Sequence, residues 1–342
     1  MTRIEPQNHP HAATARTGLS TGRRVLLSLA LAGLAATLSA RVALGAAAPA
    51  AAAPGAQPEA VKPASAPAAE VKLLAPGAEP RKVLRLHAKA GDKHTVTITL
   101  KTGLDMQVGG MDGQMVKMPA LKMVMDSTVK NVLTNGDFAY ETVMTDVSLT
   151  EDADAMPMMV EAMKSMMGGL KGLSVSGTTS NRGLDKETEG KAPADLDPQM
   201  RQAMEQMNES FSQTRVGLPE EAVGVGAKWE VKMKIKTQGV TADEVATYEL
   251  VSLEGDRATT KVSVKQNAAN QKIQNPFMPG MEMEVVKMAA KGTGEVTLDL
   301  GQLTPSEVNL ELHDTRSMSM RINDQPTSMD MKMDLNLHSE TK

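Results

Sequence analysis

Strict alternation of apolar and polar residues constrains this sequence more than any other feature. From Trp229 to Lys236, four apolar residues alternate with Glu230 and three lysines. The same pattern returns in residues 258–265, 296–300, 308–312 and 329–337. A period of two with one charged face indicates antiparallel strands that bury one side and expose the other. The second half of the chain is therefore predicted to form an antiparallel β-sheet.

The first half repeats this pattern and aligns with the second. Val96, Ile98 and Leu100 alternate with threonines, and residues 121–125 form a second alternating run. The segment 91–96 aligns with 226–231, and Gly-Asp turns follow in both halves. We interpret this as an internal duplication, with halves at about 82–190 and 216–342.

Two segments have helical spacing instead. The first carries Met159, Met163, Met166 and Leu170. The second, in the connector between the halves, carries Met200, Ala203, Met204, Met207 and Phe211, with Asp197 as N-cap and Pro198 at the first helical position. The predicted fold is therefore mainly β with two helices (α+β). It consists of curved antiparallel sheets, or an open half-barrel from two related halves, capped by two amphipathic helices.

This architecture resembles the LolA/LolB-like half-barrel of bacterial lipoprotein carriers, in which helices cover an apolar cavity. A local signature also leads from Leu218-Pro219-Glu220 through residues 223–226 to Lys228-Trp229. It is similar to that of an uncharacterised family of secreted bacterial proteins with a duplicated β-domain. The resemblance covers about residues 82–342. It implies export and a β-fold, and it brings no activity with it.

The N-terminal 81 residues predict export. Arg16, Arg23 and Arg24 precede an apolar run from Val25 to Leu38, as in a secretory signal. We assign residues 1–45 to a signal peptide, which is either cleaved near Gly45 or retained as an anchor, and residues 46–81 to an Ala/Pro-rich disordered linker. The expected location is periplasmic or secreted, with no stable membrane span once the signal is cleaved.

Charge and cysteine content exclude several partners and sites. Residues 1–45 contain five Arg and one Glu, so the remainder has 32 basic and 40 acidic residues and a net charge of −8. This charge argues against nucleic acid as a partner. The chain contains no Cys, so thiolate metal sites, iron–sulfur clusters and an acylated-Cys anchor are excluded.

No arrangement of residues predicts catalysis, so the chain is interpreted as non-enzymatic and without a cofactor. Residues 172–177 miss the nucleophile-elbow pattern because Ser176 replaces its second glycine. His87 and His94 flank a turn and could face each other across a hairpin. None of the four histidines after the leader, His87, His94, His313 and His338, forms a pair at metal-ligand spacing.

Methionine is the distinctive residue of this sequence, with 27 Met against 2% aromatic residues. Because Met is a flexible filler of apolar space, it indicates packing or a ligand cavity. The candidate cavity residues are Met123, Met125, Met159, Met163, Met166, Met204, Met207, Met331 and Met333. Thioethers also bind Cu(I), and an alternative copper site would use Met111, Met115 and Met118.

The function predicted from these features is an exported, non-enzymatic binding module. Its ligand would be apolar, either a lipid or an acyl chain, or its partner would be another envelope protein. Two alternatives are a structural envelope protein with a filled core and a periplasmic Cu(I)-binding protein.

Overall fold

The structure, a computed structural model, describes residues 64–65, 69–110, 113, 116–150, 160–161, 163–164, 167, 170–191, 216–237, 239–274, 282–322 and 325–342. Its strands are β1 (Ala64–Ser65), β2 (Glu70–Ala75), β3 (Lys82–Val83), β4 (Lys93–Val108), β5 (Val116–Lys117), β6 (Ala120–Val132), β7 (Phe138–Thr150), β8 (Ser174–Thr179), β9 (Asp185–Lys191), β10 (Ala222–Val223), β11 (Lys228–Thr237), β12 (Val240–Glu254), β13 (Arg257–Ala268), β14 (Gln271–Gln274), β15 (Glu282–Asp299), β16 (Glu307–Ile322) and β17 (Gln325–Thr341). The strands predicted from alternation are confirmed in β4, β6, β11, β13, β15, β16 and β17.

Fifteen of these strands form one antiparallel sheet. Their order is β1-β9-β8-β7-β6-β4-β17-β16-β15-β13-β12-β11-β2, while β14 pairs with β15 and β5 pairs with β4. The other two, β3 and β10, pair with each other. The sheet is open because its outermost strands, β1 and β2, are not paired with each other.

Each half of the chain contributes one run of adjacent antiparallel strands. The first half supplies β4 to β9 and the second supplies β11 to β17, and the two runs join where β17 pairs with β4. The first strand of each run follows a glycine with positive φ, Gly91 or Gly226. These are the positions that the sequence alignment places opposite each other. The internal duplication itself stays a prediction.

The sheet curls strongly, since buried side chains from distant strands share one core. An aromatic cluster contains Phe138 and Tyr140 of β7 together with Trp229 of β11. Seven strands lie between β7 and β11, so a flat sheet would separate them by roughly 38 Å at about 4.8 Å per strand.

On β15, a Cβ atom at Gly294 would lie 2.1 Å from the carbonyl oxygen of Asn309 on β16, a close approach that requires glycine.

One end of the curled sheet, which we call the Trp229 end, is covered by extended segments. The backbone N–H of Leu86 donates to Asn181 in the β8–β9 turn, and that of His87 donates to Leu300 after β15. Trp229 is fully buried and its Nε1 donates to the Gly217 carbonyl at 2.9 Å. The predicted signature around Leu218 and Trp229 therefore builds the cover of this end.

The opposite end, which we call the methionine end, has a different core. A first methionine cluster joins Met106, Met283, Met288, Met318, Met320, Met329 and Met331 with aliphatic side chains of β4, β11, β12 and β15. A second methionine cluster contains Met118, Met123, Met144, Met163, Met167, Leu121, Leu170 and Leu173. The curled sheet thus buries its aromatic residues at one end and most of its buried methionines at the other.

The predicted α+β class with two capping helices is wrong. Strands account for 71% of the described residues and helical backbone for 2%. The first predicted helix is represented only by separate residues between 160 and 167, and the second lies outside the described residues. Two helices are not needed to cover the inner face at the Trp229 end, because the curled sheet and the segments 82–92 and 216–226 cover it. No helix in the described part of the chain is long and apolar enough to cross a membrane.

Strands β1 and β2 are close in sequence but form opposite edges of the sheet. Strand β1 pairs with β9, and β2 pairs with β11. Four residues separate β1 from β2, which limits the gap between these two pairings to roughly 18 Å of extended chain. Residues Glu70–Ala75 fall within the predicted linker, so this part of the linker contributes a strand to the sheet.

Candidate apolar binding site

The register of the central strands aligns a row of leucines on the inner face of the sheet. Leu310 of β16 lies opposite Leu337 of β17, which lies opposite Leu100 of β4. The row continues through Leu121 of β6 to Leu149 of β7. Because directly opposed Cβ atoms are about 4.5–5.5 Å apart, the five side chains form one continuous apolar stripe.

A second row extends this surface toward the methionine end. Leu312 lies opposite Leu335, which lies opposite Thr102. We define the central apolar patch as Leu100, Leu310, Leu312, Leu335 and Leu337. All five side chains are only partly buried.

The central apolar patch lies between the buried clusters. Leu310 and Leu312 pack at the margin of the aromatic cluster, and Leu100 packs at the margin of the second methionine cluster. In the described residues, Leu335 and Leu337 belong to none of the three clusters. A domain of this size usually has one contiguous core, whereas here a leucine surface between three clusters stays partly accessible. Contiguous accessible apolar surfaces of this kind mark interaction sites.

A buried ion pair borders the central apolar patch on β16. Asp314 and Arg316 occupy inward positions between Leu312 and Met318, and they are 2% and 4% exposed. Nε of Arg316 donates to Oδ2 of Asp314 at 2.8 Å, and a terminal guanidinium nitrogen lies 2.6 Å from the same oxygen. Oδ1 of Asp314 is buried and has no hydrogen-bond partner among the described residues.

A second polar pair lies in the same cross-strand row. Gln266 of β13 donates its Nε2 to Oε2 of Glu244 on β12 at 2.7 Å. Burial raises the pKa of Glu244, and the hydrogen bond from Gln266 acts in the opposite direction. The row runs from Glu244 through Gln266 and Ala290 to Asp314. The inner face therefore carries two polar pairs, with the small side chain of Ala290 between them.

The methionines predicted to line one cavity fall into two separate clusters. Met123 and Met163 are buried in the second methionine cluster, with Met125 packed against it. Met331 is buried in the first methionine cluster, with Met333 packed against it. Met159, Met166, Met204 and Met207 lie outside the described residues.

The residues of the alternative copper site are not brought together by the described structure. Met118 is buried in the second methionine cluster, and Met111 and Met115 lie outside the described residues.

The sequence contains a signal for the ion pair, although the candidate site residues predicted from the sequence were all methionines. Along β16, the inward positions 308, 310 and 312 are apolar and so are 318 and 320, but 314 is Asp and 316 is Arg. Two complementary charges at consecutive inward positions interrupt an otherwise apolar face. Such an interruption predicts a buried ion pair, since an isolated buried charge is costly.

The histidines singled out from the sequence do not face each other. His87 lies between β3 and β4, and its Nε2 is 3.1 Å from Oδ2 of Asp256 in the β12–β13 turn. The hydrogen bond from Lys82 lowers the pKa of that carboxyl group, and the charge of Lys82 contributes in the same direction. His94 lies within β4, opposite Ser127. In the described residues, no three His, Asp or Glu side chains form a group that could hold a metal ion.

Comparison with known proteins identifies one family. The model of the family of unknown function DUF6263 matches residues 120–302, from the start of β6 to the turn after β15. No curated protein sequence matches this chain.

Three of the solved structures that match this chain show how weak the similarity is. OccK11 (OpdR) of Pseudomonas aeruginosa is 8% identical with a TM-score of 0.20, and the match covers 76% of this chain and 100% of that protein. OpdQ of the same organism is 8% identical with a TM-score of 0.18, covering 73% and 97%. Salmonella typhi OmpF, solved with daunomycin, is 6% identical with a TM-score of 0.20, covering 72% and 98%. TM-scores this low do not indicate a shared fold.

Proposed function

This chain belongs to DUF6263, a family of unknown function, and we propose from its geometry that it binds an elongated apolar ligand such as an acyl chain. The observation that carries this proposal is the central apolar patch. Its five leucines lie on the inner face of a curled sheet and are only partly covered by the described chain.

The dimensions of the leucine row suit a chain-like ligand. From Leu310 to Leu149 the row crosses five adjacent strands, which corresponds to roughly 19 Å at about 4.8 Å per strand. Burial of each methylene group contributes about 0.8 kcal/mol. A ligand that covered eight methylenes would therefore gain roughly 6 kcal/mol before the entropy of ordering is subtracted.

Mass spectrometry of co-purified molecules tests this function. The protein is purified without detergent, denatured and extracted with organic solvent, and an unrelated periplasmic protein from the same cells serves as control. We expect a lipid or acyl-chain compound in stoichiometric amount with this protein and only traces with the control. Equal traces in both extracts would contradict the proposal and favour a purely structural protein or one that binds an envelope partner.

Export is part of the same proposal. It is supported by the three arginines at 16, 23 and 24, which precede the apolar run 25–38. Cell fractionation and N-terminal sequencing of the mature protein test it, and we expect a periplasmic or secreted protein that begins near residue 46. A cytoplasmic protein with an intact N-terminus would refute export.

Cu(I) binding is a second candidate, favoured by the register of the first methionine cluster. Met318 lies opposite Met329, Met283 opposite Met320, and Met106 opposite Met331. Paired thioethers are soft ligands that suit Cu(I). Titration with Cu(I) under reducing conditions should show stoichiometric binding that Met318→Leu with Met329→Leu abolishes. Met123→Leu with Met144→Leu, in the other methionine cluster, is the matched control and should leave binding unchanged.

A further inference from the structure

We propose that the apolar ligand carries a hydrogen-bond donor, a hydroxyl or an ammonium group, that binds Oδ1 of Asp314. This inference rests on the proposed function and specifies the chemistry of its ligand. It requires that a polar acceptor lies beside the central apolar patch, that this acceptor has no other partner, and that an anionic group would not be accepted in its place.

The position of Asp314 meets the first requirement. Asp314 follows Leu312 at the next inward position of β16, and residues two apart on a strand are roughly 6.8 Å apart. It lies opposite Met333 on β17 and Ala290 on β15. A ligand whose chain lay on the central apolar patch would therefore place its end group within reach of Asp314.

The hydrogen bonding of Asp314 meets the second requirement. The two contacts that Arg316 makes with Asp314 both go to Oδ2, and Oδ1 is a buried acceptor without a partner among the described residues. Buried polar atoms of proteins nearly always have a hydrogen-bond partner. Glu244 does not offer a comparable anchor, since Gln266 donates to it and neither of its carboxylate oxygens is a buried atom without a partner in the described residues. Asp314 is thus an acceptor beside the central apolar patch that a ligand donor would satisfy.

Charge meets the third requirement. The guanidinium of Arg316 is matched by the carboxylate of Asp314, and both are buried. A ligand carboxylate would bring a second negative charge to this pair, whereas a hydroxyl or ammonium group would donate to Oδ1. Because hydrogen bonds to buried charged groups are among the stronger ones in proteins, we expect a preference of ~10- to 100-fold for a donor end group.

Four ligands built on a twelve-carbon chain test this inference by isothermal titration calorimetry on the purified, delipidated protein. They are 1-dodecanol, dodecylamine, sodium dodecanoate and the methyl ether of dodecanol, which accepts but does not donate a hydrogen bond. We expect the alcohol and the amine to bind ~10- to 100-fold more tightly than the dodecanoate and the ether. A stronger amine than alcohol would identify an ammonium ligand, and the reverse order a hydroxyl ligand.

The double variant Asp314→Leu with Arg316→Met provides the control. It removes both charges together, so the fold keeps an apolar interior of similar shape. We expect it to bind the alcohol and the ether with similar affinity, because the acceptor is gone and neither end group carries a charge. Tighter or equal binding of dodecanoate by the native protein would overturn the inference, as would an undiminished preference in the double variant. Failure of the native protein to bind any of the four ligands would instead overturn the apolar-ligand function and, with it, this inference.

Discussion

Replacing Arg316 by Met should destabilise the protein far more than replacing Arg316 and Asp314 together. In the native structure, Asp314 and Arg316 are 2% and 4% exposed and joined by contacts of 2.8 and 2.6 Å. Arg316→Met leaves a buried carboxylate without its counter-charge, while Asp314→Leu with Arg316→Met places apolar side chains at both positions. The comparison isolates the cost of one uncompensated charge on the inner face.

The expected magnitudes follow from the burial of the pair. Removing one partner of a buried ion pair typically costs about 3–5 kcal/mol, whereas replacing both by apolar residues is neutral or stabilising by up to about 4 kcal/mol. A loss of about 4 kcal/mol is a large part of the 5–15 kcal/mol that typically separates folded from unfolded domains. The exposed pair of Lys234 and Asp243, with a 2.8 Å contact and 70% and 72% exposure, is the matched control. Its removal should cost roughly 0–1 kcal/mol.

Urea denaturation followed by tryptophan fluorescence measures these differences. Trp229 is the only tryptophan, is fully buried and stacks on Tyr248 at a centroid distance of 5.5 Å, so its emission should change when the sheet unfolds. Arg316→Met should lower the unfolding midpoint clearly, and the double variant should restore it. A cost below about 1 kcal/mol for Arg316→Met, or a double variant as unstable as the single one, would refute the description of Asp314 and Arg316 as a buried, mutually compensating pair.

Two further predictions concern other parts of the inner face. Trp229→Phe should cost roughly 2–4 kcal/mol of unfolding free energy, because it leaves the Gly217 carbonyl without its 2.9 Å donor and opens space in the aromatic cluster. Urea denaturation followed by circular dichroism measures this cost, with Glu230→Gln on the outer face as a control expected to stay within about 0.5 kcal/mol. Equal effects of the two substitutions would contradict the prediction. Glu244 has a pKa raised by burial, so its contribution to stability is present at low pH and is lost as pH rises above about 4 through the raised pKa. The urea midpoint of Glu244→Gln should therefore rise relative to that of the native protein between pH 4 and pH 8. A difference in midpoint that does not change with pH would contradict a raised pKa of Glu244.

The strands could be predicted from the sequence because each has one apolar and one charged face. In β11, for example, Trp229 and Val231 point inward while Lys228 and Lys232 are exposed. This pattern depends only on the geometry of a single strand. The turns at Asn135-Gly136 and Gly255-Asp256 were predictable for the same local reason, since both glycines have positive φ.

The curl of the sheet and the central apolar patch could not be predicted in this way. Leu100 becomes a neighbour of Leu337 only through the pairing of β17 with β4, which joins residues more than 200 positions apart. The methionine spacing predicted two helices, because methionines at a helical period are typical of a helix that packs on a sheet. Such a period in a short segment does not reveal which distant part of the chain covers the sheet. At the Trp229 end that cover is an extended chain containing Leu86 and Leu218, held by backbone hydrogen bonds to the turns.

Ligand titration of two tryptophan variants on β17 tests the proposed function most directly. Leu335→Trp adds bulk to the central apolar patch, while Asn336→Trp adds the same bulk on the exposed outer face of the same strand. With 1-dodecanol as ligand in isothermal titration calorimetry, we expect Leu335→Trp to weaken binding at least ~10-fold, a loss of about 1.4 kcal/mol, and Asn336→Trp to bind like the native protein. Unchanged affinity in Leu335→Trp, with circular dichroism showing that both variants are folded, would contradict binding at the inner face of the sheet.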